Sequence, residues 1–283
     1  MSDVNLLFES GAFKVAPADK PFLYTSGLIG PYFINTHFLC GGESIANEVL
    51  STIDNDRHKS GFQHSLTSYL EEIYTNSLIF KSSIDAATTL ITKEIGLASF
   101  HYVTGGERRD WFFSPLVARV LDKPLLWIYK DGTTLDSTGN EIRDLKNEKA
   151  INVADLLTIG SSYVRAWSPE IAKRNGKLAY ALNLVDRRQG GEKILLDLGL
   201  EKVFSVFQID QAFFQAALDK KLITQAQYEQ LCAYLRDPHA SMRDFLIANS
   251  GFIESAKNSS DQKTKTRIEL MLAQDPYSIV ERT

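Results

Sequence analysis

Apolar positions recur at helical spacing over Leu66, Tyr69, Leu70, Ile73, Tyr74 and Leu78, and again over Ile84, Ala87, Thr88 and Ile91, which predicts two amphipathic helices. Short apolar and β-branched runs then follow at Tyr102-Val103, Leu125 to Tyr129, Ile151 to Val153, Ala179 to Val185 and Val203 to Ile209. These read as strands, and their alternation with helix-like stretches from about Phe62 to Gln208 predicts an α/β architecture with a parallel sheet. Beyond Asp210 the strand pattern stops. Ala212, Phe213, Ala216, Ala217 and Leu218, then Tyr228, Leu231 and Leu235, then Met242, Phe245 and Leu246 carry helical spacing instead, and 258–266 reads as a solvated loop or helix start. The chain therefore divides into residues 1–209, comprising an N-terminal subregion 1–61 and an α/β core 62–209, and a helical C-terminal extension 210–283.

One segment within the core carries more chemistry than the rest. Ile151 to Ser162, INVADLLTIGSS, runs from an apolar strand through Asp155 into a loop of Thr158, Ile159, Gly160, Ser161 and Ser162. Ser162 to Arg174 has helical spacing despite Pro169, so the loop lies between a strand and a helix. Hydroxyls, a glycine that admits close approach and the positive end of a helix dipole suit a phosphate. A strand, an acid and then T-x-G-x-S before a helix resembles the phosphoribosyl-pyrophosphate motif of the type I phosphoribosyltransferases, and orotate phosphoribosyltransferase most of all. That family has two adjacent acids where this chain has Ala154-Asp155.

Three further segments follow the family's order. Tyr24 to Asn35, YTSGLIGPYFIN, resembles its S-G-x-x-x-P-Y-F-x-N stretch, with Thr25 and Leu28 where the family has Lys and Arg. Tyr102 to Asp110, YVTGGERRD, resembles the strand and Gly-Gly loop that receives pyrophosphate, and Leu125 to Lys130 resembles the next strand with its terminal Lys. Leu182 to Gly191, LNLVDRRQGG, resembles the D-R-x-x-G stretch that carries a base-contacting Arg.

The resemblance implies a type I phosphoribosyltransferase-like fold, with a mainly parallel sheet flanked by helices. It also implies transfer of ribose 5-phosphate from phosphoribosyl pyrophosphate to a pyrimidine-type base such as orotate, with release of pyrophosphate. On that reading Lys130 and Asp155 are catalytic, and Gly105, Gly106, Lys130, Asp155, Thr158, Ile159, Gly160, Ser161 and Ser162 bind phosphoribosyl pyrophosphate. Tyr32, Phe33 and Arg187 take the base, since aromatic rings stack and a guanidinium grips a carboxylate through two parallel bonds. Mg²⁺ is implied as a cofactor held through the substrate, with no protein metal site; a homodimer is implied as the assembly. The polar stretch from Asp131 to Lys149 takes the place of the family's mobile hood, without the hood's own Lys and His. With these cations and one acid missing, a second reading stands beside the enzyme: a nucleotide- or phosphoribosyl pyrophosphate-binding regulatory protein on the same fold. A partner-docking scaffold built on the C-terminal helices is a third.

The residues leave their own alternatives. Pro31 to Ile34 also suits a buried turn and strand; Arg108 and Arg109 suit a solvated loop or ion pairs with Glu107 or Asp110 as well as a role at the site; and Asp186 with Arg187 suits a strand-end ion pair. Composition narrows the classes. A chain of 283 residues, 44% hydrophobic and 23% charged, can bury a large core, and its net charge of −4 is wrong for a general nucleic-acid binder. Cys40 and Cys232 have no metal-ligand spacing and fit a reducing compartment, and His37, His58, His64, His101 and His239 are dispersed. No leader-like N-terminus and no apolar run of membrane-spanning length is evident, which gives a cytoplasmic expectation with small-molecule partners only.

Overall fold

The computed structural model describes residues 3–279. They form two compact units, one from 3–12 with Asn35–Ile209 and one from Phe13–Ile34 with 210–279. The division departs from the one drawn on sequence, because residues 13–34 join the C-terminal helices and leave the N-terminal subregion.

The first unit holds a six-stranded sheet in the order Lys202–Gln208, Lys177–Asp186, Lys149–Leu157, Tyr102–Gly106, Leu125–Ile128 and Thr134–Leu135. The first five are parallel, as expected from the sequence, and the short sixth runs antiparallel, pairing Trp127 with Leu135. Lys149–Leu157 is central and buried along most of its length, which explains why its side chains are nearly all apolar instead of alternating. Tyr163, Ile171 and Leu195 pack with Ala150, Ala154, Leu178 and Val203 on one face of the sheet. Helices Leu78–Glu94 and Ser114–Val120 cover the other. The first begins where the Ser77 hydroxyl accepts from the Phe80 amide at 3.2 Å, and it buries Phe80, Ile84, Ala87 and Ile91 as one stripe.

Numbered along the chain, the five parallel strands lie in the order 2-1-3-4-5, which leaves one place where neighbouring connections depart in opposite directions: between Tyr102–Gly106 and Lys149–Leu157. Ligands of open α/β sheets bind at the carboxyl ends of such a pair, because the diverging loops leave a crevice there.

The stretch 131–149 is anchored, in contrast to the mobile hood expected. Leu145 is fully buried, and the Arg174 guanidinium donates to the carbonyls of Ile142 at 2.8 Å and Gly132 at 3.0 Å. With Gly132 and Ile142 tied to one side chain and Leu145 beyond them in the core, a wide swing needs that burial undone.

The second unit pairs Phe13–Val15 with Tyr32–Ile34 and Phe22–Leu23 with Ile29–Gly30, both antiparallel, beside helices Gln211–Asp219, Gln225–Arg236, Pro238–Ala248, Gly251–Lys257 and Gln262–Gln274. Asp210, Thr224, Asp237 and Asp261 cap four of these through side-chain oxygens, so the helical reading of the extension has local causes in the sequence. Side chains from the helices hold the non-helical segment by its carbonyls: Gln227 donates to Ala16 at 2.9 Å, Gln230 to Ala18 at 3.1 Å and Arg267 to Leu23 at 2.9 Å. Among the described residues no helix is long and apolar enough to cross a membrane.

Candidate phosphate-binding site at the sheet's carboxyl edge

The strand Lys149–Leu157 ends in the turn read from sequence. Thr158, Ile159 and Gly160 form the connection, and Gly160 adopts φ +69°, a left-handed conformation that glycine takes without a Cβ penalty. Its carbonyl accepts the first helical bond, from Val164 N–H at 3.2 Å, and the chain continues through a π-helical turn Tyr163–Trp167 into the α-helix Ser168–Lys173. Pro169 has no N–H for the carbonyl of Arg165, which accounts for the loosened turn immediately before it. Thr158 and Ser161 are half-buried and Ser162 is exposed, while Ile159 is 54% exposed at the tip. The first amides of a helix have no acceptor within it, so this turn offers hydroxyls and N–H groups to an anion.

The neighbouring loop leaves Lys177–Asp186 beside it. Arg187 N–H donates to the Leu157 carbonyl at 2.9 Å and Gly191 N–H to the Thr158 carbonyl at 3.0 Å, which brings the backbone of Arg187 to the end of the cradle strand. Arg187 is half-buried. Arg188 makes an ion pair at the strand end, reaching Asp186 at 3.5 Å and Glu192 at 2.6 Å.

Asp155 belongs to a buried polar cluster at the end of the same strand. Thr36 Oγ1 donates to its Oδ2 at 2.5 Å, and its own backbone N–H donates to Asp110 Oδ1 at 3.1 Å. Burial raises both carboxyls above the ordinary range; the Asp155 charge raises Asp110 further, while Thr36 and Arg109 oppose the rise at Asp155. His37, in the same 3₁₀ turn as Thr36, is pushed down to about 4 by burial and then by Arg109 and Arg108, so its imidazole is neutral. Tyr163 donates to Asn183 Oδ1 at 2.8 Å beneath the cluster.

Beside it lies Arg109, exposed, its guanidinium without a hydrogen bond or ion pair among the described residues, and near enough to Asp155 and His37 to favour the ionised acid and the neutral imidazole. Its neighbours are engaged: Arg108 pairs with Asp54, and Glu107 with Arg57 at 3.1 Å. Neither of the pairings anticipated with Glu107 or Asp110 forms. Thr36 and Asp110 are not singled out as site residues by the sequence, and Arg109 stands there between a loop or ion pair and a role at the site. The strand order was the missing signal, since it alone says that the loop after Gly106 emerges next to the loop after Leu157.

Several assignments need revision. Gly105 and Gly106 are buried strand residues, and the Gly106 amide meant for pyrophosphate already donates to Asp110 Oδ2 at 2.8 Å. Packing explains both glycines: a Cβ would fall 2.2 Å from Ser114 Oγ at position 105 and 2.0 Å from Trp167 Nε1 at position 106. Tyr32 is 3% exposed and stacks on Phe13 at 5.2 Å in the helical unit, so its ring is taken by the core. Phe33 is 41% exposed in that same unit, near the rings of Phe22 and Tyr24. Lys130 follows its strand as expected, exposed, with an ammonium that has no partner among the described residues; its backbone N–H donates to Glu107 Oε2 at 3.1 Å. Ala154, where the family has a second acid, packs in the apolar cluster with Leu157, Tyr163 and Leu195.

No family model matches the chain. It is 26% identical over 133 residues to the orotate phosphoribosyltransferase of Sulfolobus acidocaldarius, a match spanning 47% of this chain and 64% of that protein, just under two thirds of its length. Among solved structures, the orotate phosphoribosyltransferase of Francisella tularensis superposes with a TM-score of 0.55 at 16% identity, covering 82% of this chain and 96% of that one. The UMP synthase of Leishmania donovani gives 0.54 at 14% identity, covering 82% of this chain and 41% of that one. The fold is that of the type I phosphoribosyltransferases, with extra helices at the C-terminus, and the sequence likeness to orotate phosphoribosyltransferase stands.

Proposed function

On the premise of that fold, we propose that this protein is a phosphoribosyltransferase of the orotate type, binding the 5-phosphate of phosphoribosyl pyrophosphate at Thr158, Ile159, Gly160, Ser161 and Ser162. The observation that carries the reading is the position of this turn. It opens at the one switch point of the sheet, beside Arg109 and at the end of the strand that bears Asp155. Asp155 then holds the ribose hydroxyls, Lys130 and Arg109 face the departing pyrophosphate, and Arg187 meets the acidic or carbonyl edge of the base. The base nitrogen attacks the ribose anomeric carbon as its bond to pyrophosphate breaks. Positive charge gathers on the ribose and negative charge on the leaving group, so preorganised cations and exact placement supply the rate. In this reading Mg²⁺ is carried in by the substrate's own phosphates, where it would neutralise part of the leaving charge. A two-fold homodimer is part of the same reading.

Binding without turnover is the second reading, and specific observations favour it. The second acid is replaced by a core alanine, Asp155 is 9% exposed, the Gly106 amide is occupied and the hood is anchored. Titration calorimetry with phosphoribosyl pyrophosphate and Mg²⁺, followed by pyrophosphate release with orotate, uracil and adenine, separates the two. Binding with release supports the transferase, and binding without release from any base supports the sensor. Absence of binding removes both.

A further inference from the structure

The helical unit contains a cleft of about 1010 Å³, of ligand-binding size, that the transferase reading does not use. One wall is the segment between Pro17 and Leu23, the other the helices around Phe252 and Arg267. The first wall is held in place from its own carbonyls, by Gln230 at Ala18 and by Arg267 at Leu23, and Pro17 and Pro21 restrict its backbone. A cavity with braced walls can take a ligand without first being ordered, which lowers the entropic cost of binding.

Its lining combines two kinds of chemistry. Phe22 and Phe252 give flat apolar surface, each oriented by another ring of the unit, Phe33 at 6.2 Å and Phe245 at 5.4 Å. Lys20 and Arg267 contribute positive charge against a single lining carboxylate, Asp19, and Ser255 and Ser259 add hydroxyls. Arg267 commits one N–H to the Leu23 carbonyl, which leaves most of its donor fork for an anion. Rings for a planar body, cations for a negative group and hydroxyls between them match a small amphiphilic anion better than a purely apolar molecule, which would strand the cations. We propose that this cleft is a second binding site, taking a phosphate-bearing ligand with a flat aromatic body, of which a mononucleotide is the simplest form.

The test uses the full-length protein with AMP and UMP as probes, adenosine, uridine and inorganic phosphate as comparisons, and 8-azido-AMP as a photolabel. The label should map to peptides covering 17–23 and 249–267, and should persist in Gly160→Val, which blocks the turn of the α/β unit. Lys20→Gln, an exposed change that the fold tolerates, and Phe252→Ala should each weaken the probe nucleotides about tenfold or more. The proposal is overturned if labelling is confined to 156–191, if neither nucleotide binds, if inorganic phosphate binds as tightly as AMP, or if Lys20→Gln leaves affinity unchanged.

Discussion

Asp110 and Asp155 are carboxyl groups buried against one another, and both hold protons more tightly than their unfolded counterparts, whose ordinary value is 3.8. The native state therefore keeps protons that the unfolded chain has released, and stability falls as pH rises from about that ordinary value through the folded ones, with no further loss beyond. Thr36 moderates this, because its hydroxyl donates to the ionised form of Asp155. Thr36→Val keeps the shape and removes the donor. It should cost about 1–3 kcal/mol where Asp155 is ionised and progressively less as pH falls toward the ordinary 3.8, read by urea unfolding along a pH series. A deficit that does not change along the series would mean that Asp155 does not titrate within it. Arg109 is the complementary case, a cation with no structural partner to lose. Arg109→Ala should leave the unfolding midpoint nearly unchanged and weaken phosphoribosyl pyrophosphate by roughly ten- to a hundredfold, the contribution of a charge-assisted contact. Normal affinity in this variant would remove it from the proposed site.

At the scale of elements, the five parallel strands were legible because four of them are buried along most of their length and all carry short apolar runs. The strand Thr134–Leu135 was not, since two residues at a sheet edge carry no period. The same limit hid the anchoring of the hood. Its sequence is polar and glycine-containing, and its constraints include a lone Leu145 and an arginine nearly thirty positions away, Arg174. The phosphate turn was legible from residue types, whereas the engagement of Gly106 by Asp110 was not, because a buried amide and an open one have the same sequence. The hood's anchoring can be undone deliberately. Leu145→Ala removes a fully buried side chain and should cost about 2–5 kcal/mol, with limited proteolysis between Asp136 and Asn147 becoming markedly faster than in the parent. Unchanged cleavage would show that burial of Leu145 is not what holds the loop.

For the whole molecule, the division into units makes a boundary drawn from strand and helix patterns wrong in one respect. Asp210 does mark the change from α/β to helical structure, yet the helices beyond it enclose a segment from the other end of the chain. Phe13 lies 5.1 Å from Phe213, ring to ring; Tyr32 lies 5.7 Å from Tyr234; and the Tyr277 hydroxyl accepts from Ile29 N–H at 2.9 Å. Phe13, Ile29 and Tyr32 are each no more than 3% exposed. A chain cut after Ile209 keeps these residues and discards what buries them. Uncovering three large apolar side chains forfeits about 1.5–3 kcal/mol apiece and leaves a contiguous sticky surface. The 1–209 fragment should therefore bind 8-anilinonaphthalene-1-sulfonate strongly and aggregate at concentrations where the full chain stays dispersed, measured by dye fluorescence and light scattering. An internal deletion of 13–34 from the 1–209 fragment, which keeps the N-terminal residues with the α/β unit, should aggregate less than 1–209 although it is shorter. If 1–209 stays dispersed and dye-silent like the full chain, residues 13–34 do not depend on the C-terminal helices for their cover.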